Sequence, residues 1–220
     1  MPLFFLIQLT LSFVLLMVFV LVYFQMEFLN LHPIVTLILS IFVTYVLSII
    51  LLVAINKSAR TVMRVKEGEI RGLGLVLWTI QETSLDIALN LSSKLFIHTP
   101  SPDFLYRLFG FKRRKGVSIL TRLWDPDLFD IGENTLIGTD AIVSGHYIKN
   151  GVLHRKKVKI GKNVTLGARC ILGVGVIIGD NTIVGYGSVI PPHSILDPNS
   201  FYSGVPVKKV KILEETKISK

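Results

Sequence analysis

The sequence predicts an all-β parallel solenoid carried behind two apolar helices, and three observations lead there. From Ile131 a large aliphatic residue returns at every sixth place: Ile131, Ile137, Val143, then Ile160, Leu166, Leu172, Ile178, Val184, Ile190 and Leu196. Glycine follows it in seven of these ten repeats, and the fifth place is mostly small (Thr135, Ala141, Cys170, Thr182, Ser188, Ser194, Ser200). Ahead of this beat lie two long apolar runs, 3–23 and 33–55. A repeat this short is neither a helix pair nor a propeller blade; it marks a parallel β-helix built from hexapeptides.

The organisation follows in order: 1–56, two transmembrane helices; 57–116, an amphipathic connector with a basic loop; 117–207, the solenoid; 208–220, a basic tail. Each apolar run reaches the roughly 20 residues a bilayer span needs. No basic stretch precedes the first run and a second follows at once, which argues against a cleaved signal peptide. All 24 Lys and Arg lie after residue 56, and the loop between the runs carries only Glu27. By the positive-inside rule, this is an integral membrane protein with the solenoid and both termini in the cytoplasm. One cysteine, Cys170, excludes an internal disulfide and fits a reducing compartment.

The net charge of +9 belongs wholly to the part after the spans. Nucleic acid is one partner for such a surface. Behind two membrane anchors, anionic membrane lipids and phosphorylated substrates fit better, so no nucleic acid is expected. In the connector, Leu73, Leu77, Ile80, Ala88, Leu91 and Leu95 recur at helical spacing, opposed by Gln81, Glu82, Asp86, Asn90 and Lys94. That helix either lies at the bilayer interface, with Trp78 at headgroup depth, or packs against the solenoid. Thr99-Pro100-Ser101-Pro102 ends it. Lys112-Arg113-Arg114-Lys115 then reads as a solvated turn or as a patch facing lipid or phosphate.

Within the solenoid, three hexapeptides make one triangular coil, with the aliphatic and the small residue pointing inward. Ile119 and Asp125 already hold the spacing of Ile131, so the coils begin near Val117. Cys170 takes an inward place and reads as a buried small hydrophobe. The beat fails once, between Val143 and Ile160, with His146 at the base of the insert. An excursion from a rigid scaffold is where sites sit. Counting coil by coil puts His146 in one corner column with Asn163, Asn181 and Asn199, which are turn residues that tolerate left-handed geometry. A histidine there gains a turn little, which favours a catalytic imidazole.

The segments Gly145-His146, 158–167, Ile177 to Asn181 and Val184 to Val189 resemble the left-handed β-helix (hexapeptide-repeat) acyltransferases. Ser203-Gly204-Val205-Pro206-Val207-Lys208-Lys209-Val210 is similar to that family's close, a Gly-x-Pro-Ala-Lys motif, with Val207 where Ala is common. A narrower resemblance, through 65–69, 105–110, 125–132 and 146–153, is to the membrane-embedded C-terminal repeats of polylysine synthetase-type peptide synthetases, without their adenylation and carrier domains.

The acyltransferase resemblance implies a left-handed winding and a homotrimer, with coenzyme A between neighbouring solenoids. A coenzyme A thioester (acetyl-CoA or another acyl-CoA) is then the donor, and a small-molecule or lipid-linked hydroxyl or amine the acceptor. It makes His146 the general base of a direct transfer; an imidazole suits this because it titrates near neutrality. It gives Lys208 and Lys209 to the donor's phosphates, and Gly167, Gly185 and Ser188 to its pantetheine arm. Asp127, about one coil before His146, is the candidate to orient the imidazole. The narrower resemblance implies an aminoacyl thioester instead. Two rivals stand beside these. A γ-class carbonic anhydrase fits poorly, because His146, His154 and His193 lack the spacing of a three-histidine zinc site, and no metal is expected. A non-catalytic trimeric membrane scaffold would tolerate loss of His146.

Overall fold

A computed structural model describes residues 2–29, 32–63, 67–95, 103–112 and 114–213; the expectations for 99–102, Arg113 and the end of the tail lie outside them. The chain divides into a helical unit, Met1–Arg64 with Gly72–Thr99, and a β unit, Val65–Arg71 with Pro100–Lys220.

In the helical unit, α1 (Pro2–Glu27) and α2 (Pro33–Val62) are long and apolar enough to cross a membrane by length and composition. Leu9, Phe13, Leu16 and Leu21 of α1 are exposed. Pro33 opens α2 at a position where its missing N–H costs nothing, and His32 caps the turn by accepting from the Ile34 amide. α3 (Leu73–Leu95) packs along α2 through polar as well as apolar groups. Asn56 donates to the Gln81 carbonyl at 2.9 Å and to Ser84 Oγ at 3.1 Å, while Arg60 donates to Asn56 Oδ1. Gln81 and Glu82, expected on the face opposite the apolar stripe, are buried, and so is Trp78; Gln81 Nε2 donates to Met63 Sδ at 3.7 Å. Within its unit, then, this helix has α2 as its partner, which neither expectation named.

The β unit is a triangular prism of three parallel sheets. The first sheet stacks β2 (Ser118–Ile119), β5 (Leu136–Ile137), β10 (Thr165–Leu166), β13 (Ile183–Val184) and β16 (Ser200–Ser203). The second stacks β3 (Leu123–Trp124), β6 (Ile142–Ser144), β11 (Ile171–Leu172) and β14 (Val189–Ile190). The third stacks β4 (Phe129–Ile131), β9 (Val158–Ile160), β12 (Ile177–Ile178) and β15 (Ile195–Leu196). Register pairs such as Leu166↔Val184, Leu172↔Ile190 and Ile178↔Leu196 place each aliphatic on the next, and all ten of the beat are buried. Each coil alone would leave this row half wet; stacking closes it. The second-place glycines let successive coils touch: a Cβ on Gly167 would stand 2.7 Å from the Tyr186 amide nitrogen of the next coil.

Two expectations about the solenoid change. Leu123, not Asp125, takes the inward place opposite Val143, because a carboxylate cannot replace an aliphatic in that dry row. And Lys208–Ile212, expected within a tail, forms β17, pairing antiparallel with β16 and closing the last coil.

Candidate active site

The excursion after β6 is a hairpin, β7 (His146–Lys149) and β8 (Val152–Arg155), turned by Asn150 and Gly151, both at positive φ. That dipeptide is the strongest short hairpin signal, since both central residues of such a turn are left-handed. β1 (Gly68–Ile70), from the connector, adds a third strand by pairing antiparallel with β8. Register sets His146 opposite Arg155 and Arg155 opposite Gly68. Directly opposed residues share a sheet face, so the imidazole and the guanidinium turn toward the same floor.

The floor is Asp125. It sits at a left-handed corner (φ 58°, ψ 60°) just before the short helical turn Pro126–Leu128, and it is fully buried. His146 Nδ1 lies 2.5 Å from its Oδ2, and Arg155 Nε donates to its Oδ1 at 3.1 Å. Arg155 Nη2 reaches on to Asp127 Oδ1 at 3.0 Å. The arginine is always charged, which holds Asp125 as a carboxylate with acceptors only. Nδ1 must then carry the shared proton, leaving Nε2 as a lone-pair acceptor. The ring keeps 17% exposure, enough for a reacting group to reach it. Burying this carboxylate and guanidinium is costly unless each is bonded, and here each has the other plus a second partner.

Asp127, expected to orient the imidazole, instead holds Arg155; Asp125 holds the ring. The physical reason is the corner: Asp125 turns at the end of β3 directly beneath His146, and two residues on the chain has already moved into the helical turn. Trp124 stands edge-on to the imidazole, with ring centres 6.4 Å apart at 80°. The Arg122 guanidinium covers the Trp124 face at 3.9 Å. Ser144 completes the corner, its Oγ accepting from the His146 amide at 3.2 Å and donating to the His146 carbonyl at 3.0 Å.

The column expected for His146 is not its own. Asn163, Asn181 and Asn199 stack with Asn134 at the corner between the third and first sheets, amide to amide, at 3.3, 2.9 and 2.8 Å. His146 stands at the corner between the second and third sheets, where the left-handed places belong to Asp125, Gly175 and His193. The hairpin inserts residues that a count by coils takes as solenoid, which shifts the column.

Gly167, Gly185 and Ser188 lie at the remaining corner, between the first and second sheets. The Gly167 and Gly185 amides are spent on the ladder, donating to the Val184 and Tyr202 carbonyls, each at 2.8 Å. Ser188 is buried and donates to the Gly185 carbonyl. Lys208 and Lys209 follow on β17, and Lys209 Nζ pairs with Asp197 Oδ2 at 2.9 Å. That pairing lowers the Asp197 pKa and raises that of Lys209. Cys170 is inward and donates its thiol to the Gly185 carbonyl; burial pushes its pKa up, which disfavours a nucleophilic thiolate. Among the described residues, no three His, Cys, Asp or Glu side chains are grouped to hold a metal ion.

Residues 157–191 match a family model described as the hexapeptide repeat of succinyl-transferase. No curated protein matches the chain in sequence. Among solved structures, a maltose O-acetyltransferase from Clostridium difficile 630 is 21% identical, covering 63% of this chain and 89% of its own, with a TM-score of 0.49. A hexapeptide-repeat-containing acetyltransferase from Vibrio cholerae is 16% identical over 67% of this chain and 97% of its own, at a TM-score of 0.45. A galactoside acetyltransferase in complex with coenzyme A is 21% identical over 64% of this chain and 84% of its own, at 0.41.

Proposed function

We propose that this chain is a membrane-anchored acyltransferase that moves an acyl group from a thioester donor, an acyl-CoA, to a hydroxyl or amine acceptor. The observation that carries the reading is the pairing of buried Asp125 with His146 at the solenoid's excursion, which leaves Nε2 as a base. The hexapeptide match over 157–191 supports it.

In this reaction Nε2 takes the proton from the acceptor as its oxygen or nitrogen attacks the thioester carbonyl. The tetrahedral intermediate collapses, the carbon–sulfur bond breaks, and the imidazolium returns the proton to the leaving thiolate. Asp125 holds the ring in the productive tautomer and stabilises the imidazolium, and Arg155 keeps Asp125 ionised throughout. Such a base supplies about 10²–10⁴ in rate.

The donor's residues are at another corner. In one chain, Gly167, Gly185 and Ser188 belong to a different edge of the prism from His146. A homotrimer resolves this, with the His146 corner of one protomer against the glycine-rich corner of the next. With their amides committed, the stacked glycines offer the pantetheine arm a side-chain-free strip rather than hydrogen bonds. Lys208, which has no carboxylate partner among the described residues, is the better of the two tail cations for a donor phosphate. α1 and α2 supply the anchor, and the positive charge beyond them keeps the β unit on the cytoplasmic side.

The test is thiol release from acetyl-CoA and longer acyl-CoAs by the detergent-purified full chain, with cellular lipid and sugar acceptors present. Release by the wild type and its loss in His146→Ala supports the enzyme. A folded trimer inert toward every thioester would leave the scaffold reading.

A further inference from the structure

Beside the hairpin lies a cavity of about 480 Å³ lined by Glu67, Lys156, Lys157, Lys159, Gly175 and His193, with Ile177 and Ile195 as its apolar wall. Lys156 follows Arg155 directly, and its amide donates to the carbonyl of Gly145, the residue before His146, at 2.9 Å. The cavity lining therefore joins the base of the hairpin, one residue along the chain from Arg155.

Its charges are only partly spent inside the protein. Lys157 lies near Asp130, at 3.9 Å, and its amide is bonded by Glu67 Oε2 at 3.2 Å. Lys156 and Lys159 have no carboxylate partner among the described residues; Lys156 Nζ faces only His193 Nδ1, at 3.4 Å. An ammonium has no acceptor, so it donates to that nitrogen and leaves the His193 proton on Nε2. Gly175 makes this approach fit: a Cβ there would stand 2.6 Å from His193 Nδ1 and 2.7 Å from Lys156 Cδ. With Glu67 the one acid on the lining, the hollow keeps a net positive charge, and the Lys156 and Lys159 ammonium groups with an imidazole N–H form a donor set for the oxygens of a phosphoryl group.

We propose that this pocket is a phosphoryl-binding subsite that holds a phosphate ester of the acceptor next to His146. The acceptor, not the donor, is assigned because the donor's expected phosphate ligand, Lys208, lies on β17, so that in the proposed trimer only the thioester end of the donor reaches the His146 corner, which Gly175 and His193 of the pocket share. The inference takes its place in the reaction from the acyltransferase reading, yet phosphate binding is measured without turnover, so either can fail alone.

The experiment is thermal stability of the full chain in detergent, titrated with inorganic phosphate against sodium chloride at matched ionic strength. Phosphate should stabilise the wild type and His146→Ala alike, since a ligand of the native state raises its melting temperature. Lys156→Gln/Lys159→Gln should weaken the apparent affinity at least tenfold. Displacement by glycerol 3-phosphate and short-chain phosphatidate equally assigns a soluble phosphoester; displacement by phosphatidate alone assigns a lipid headgroup. No stabilisation beyond chloride, or stabilisation that survives the double substitution, overturns the site. Competition by coenzyme A that the double substitution abolishes gives the pocket to the donor and overturns the acceptor assignment.

Discussion

Two corners of the same prism turn the chain through the same left-handed geometry and use it for opposite ends. At one, Asn134, Asn163, Asn181 and Asn199 stack amide on amide, uncharged. At the other, Asp125 takes the left-handed place, but its side chain is buried and holds His146 and Arg155. The first corner satisfies itself by repetition: each amide finds its copy one coil on. The second is met from outside the repeat, by a hairpin, and the ion pair this buries costs stability that repetition would not demand. Where a solenoid corner stops bonding to its own copies and starts holding a titratable ring, it has been given work other than folding.

The strongest break of that contrast is His146→Ala. Thiol release should fall roughly ten-thousand-fold, while the melting temperature stays near that of the wild type, because the ring is a partner of the pair and not its support. Asp125→Asn keeps the left-handed turn but no longer dictates which nitrogen carries the proton. Turnover should drop about a hundredfold, and stability should fall by about 3 kcal/mol because Arg155 loses its buried anion, read from chemical denaturation.

The ladder corner should respond the other way. Asn163→Ala strains a left-handed position (φ 54°) and breaks two ladder bonds, costing about 1–2 kcal/mol with turnover unchanged. Asn163→Gly, which relieves the backbone strain, should recover part of that loss and so separate strain from hydrogen bonding. The smallest effect belongs to the exposed Lys209–Asp197 pair. Its carboxylate pKa is lowered, so its contribution is present above the ordinary aspartate range and is lost as pH falls through the lowered value. Asp197→Asn should lower the neutral-pH melting temperature and flatten the acid limb only slightly, since the pair is solvated.

Much of the scaffold was legible. The aliphatic beat carried the three sheets because period and burial are the same statement in a stacked coil. The excursion was visible as a failure of that period, and His146 stood at its base. Asp125 left a trace, a charged residue where the beat asked for an aliphatic, but the trace reads as irregular spacing until Leu123 is seen opposite Val143. Arg155 left none: it reaches Asp125 only because the hairpin register sets it opposite His146. The buried Gln81 and Glu82 were hidden for a related reason, since a polar face is solvated or buried according to what the neighbouring helix brings.

The sequence by itself determined the two long apolar helices, the coil repeat and the place where the repeat is interrupted, because these depend on local hydrophobic order along the chain. Tertiary structure alone decided which carboxylate meets His146, which corner that histidine shares, and which lysines line one hollow. Those are relations between coils and across a hairpin, and an inserted segment changes them without altering a single local preference.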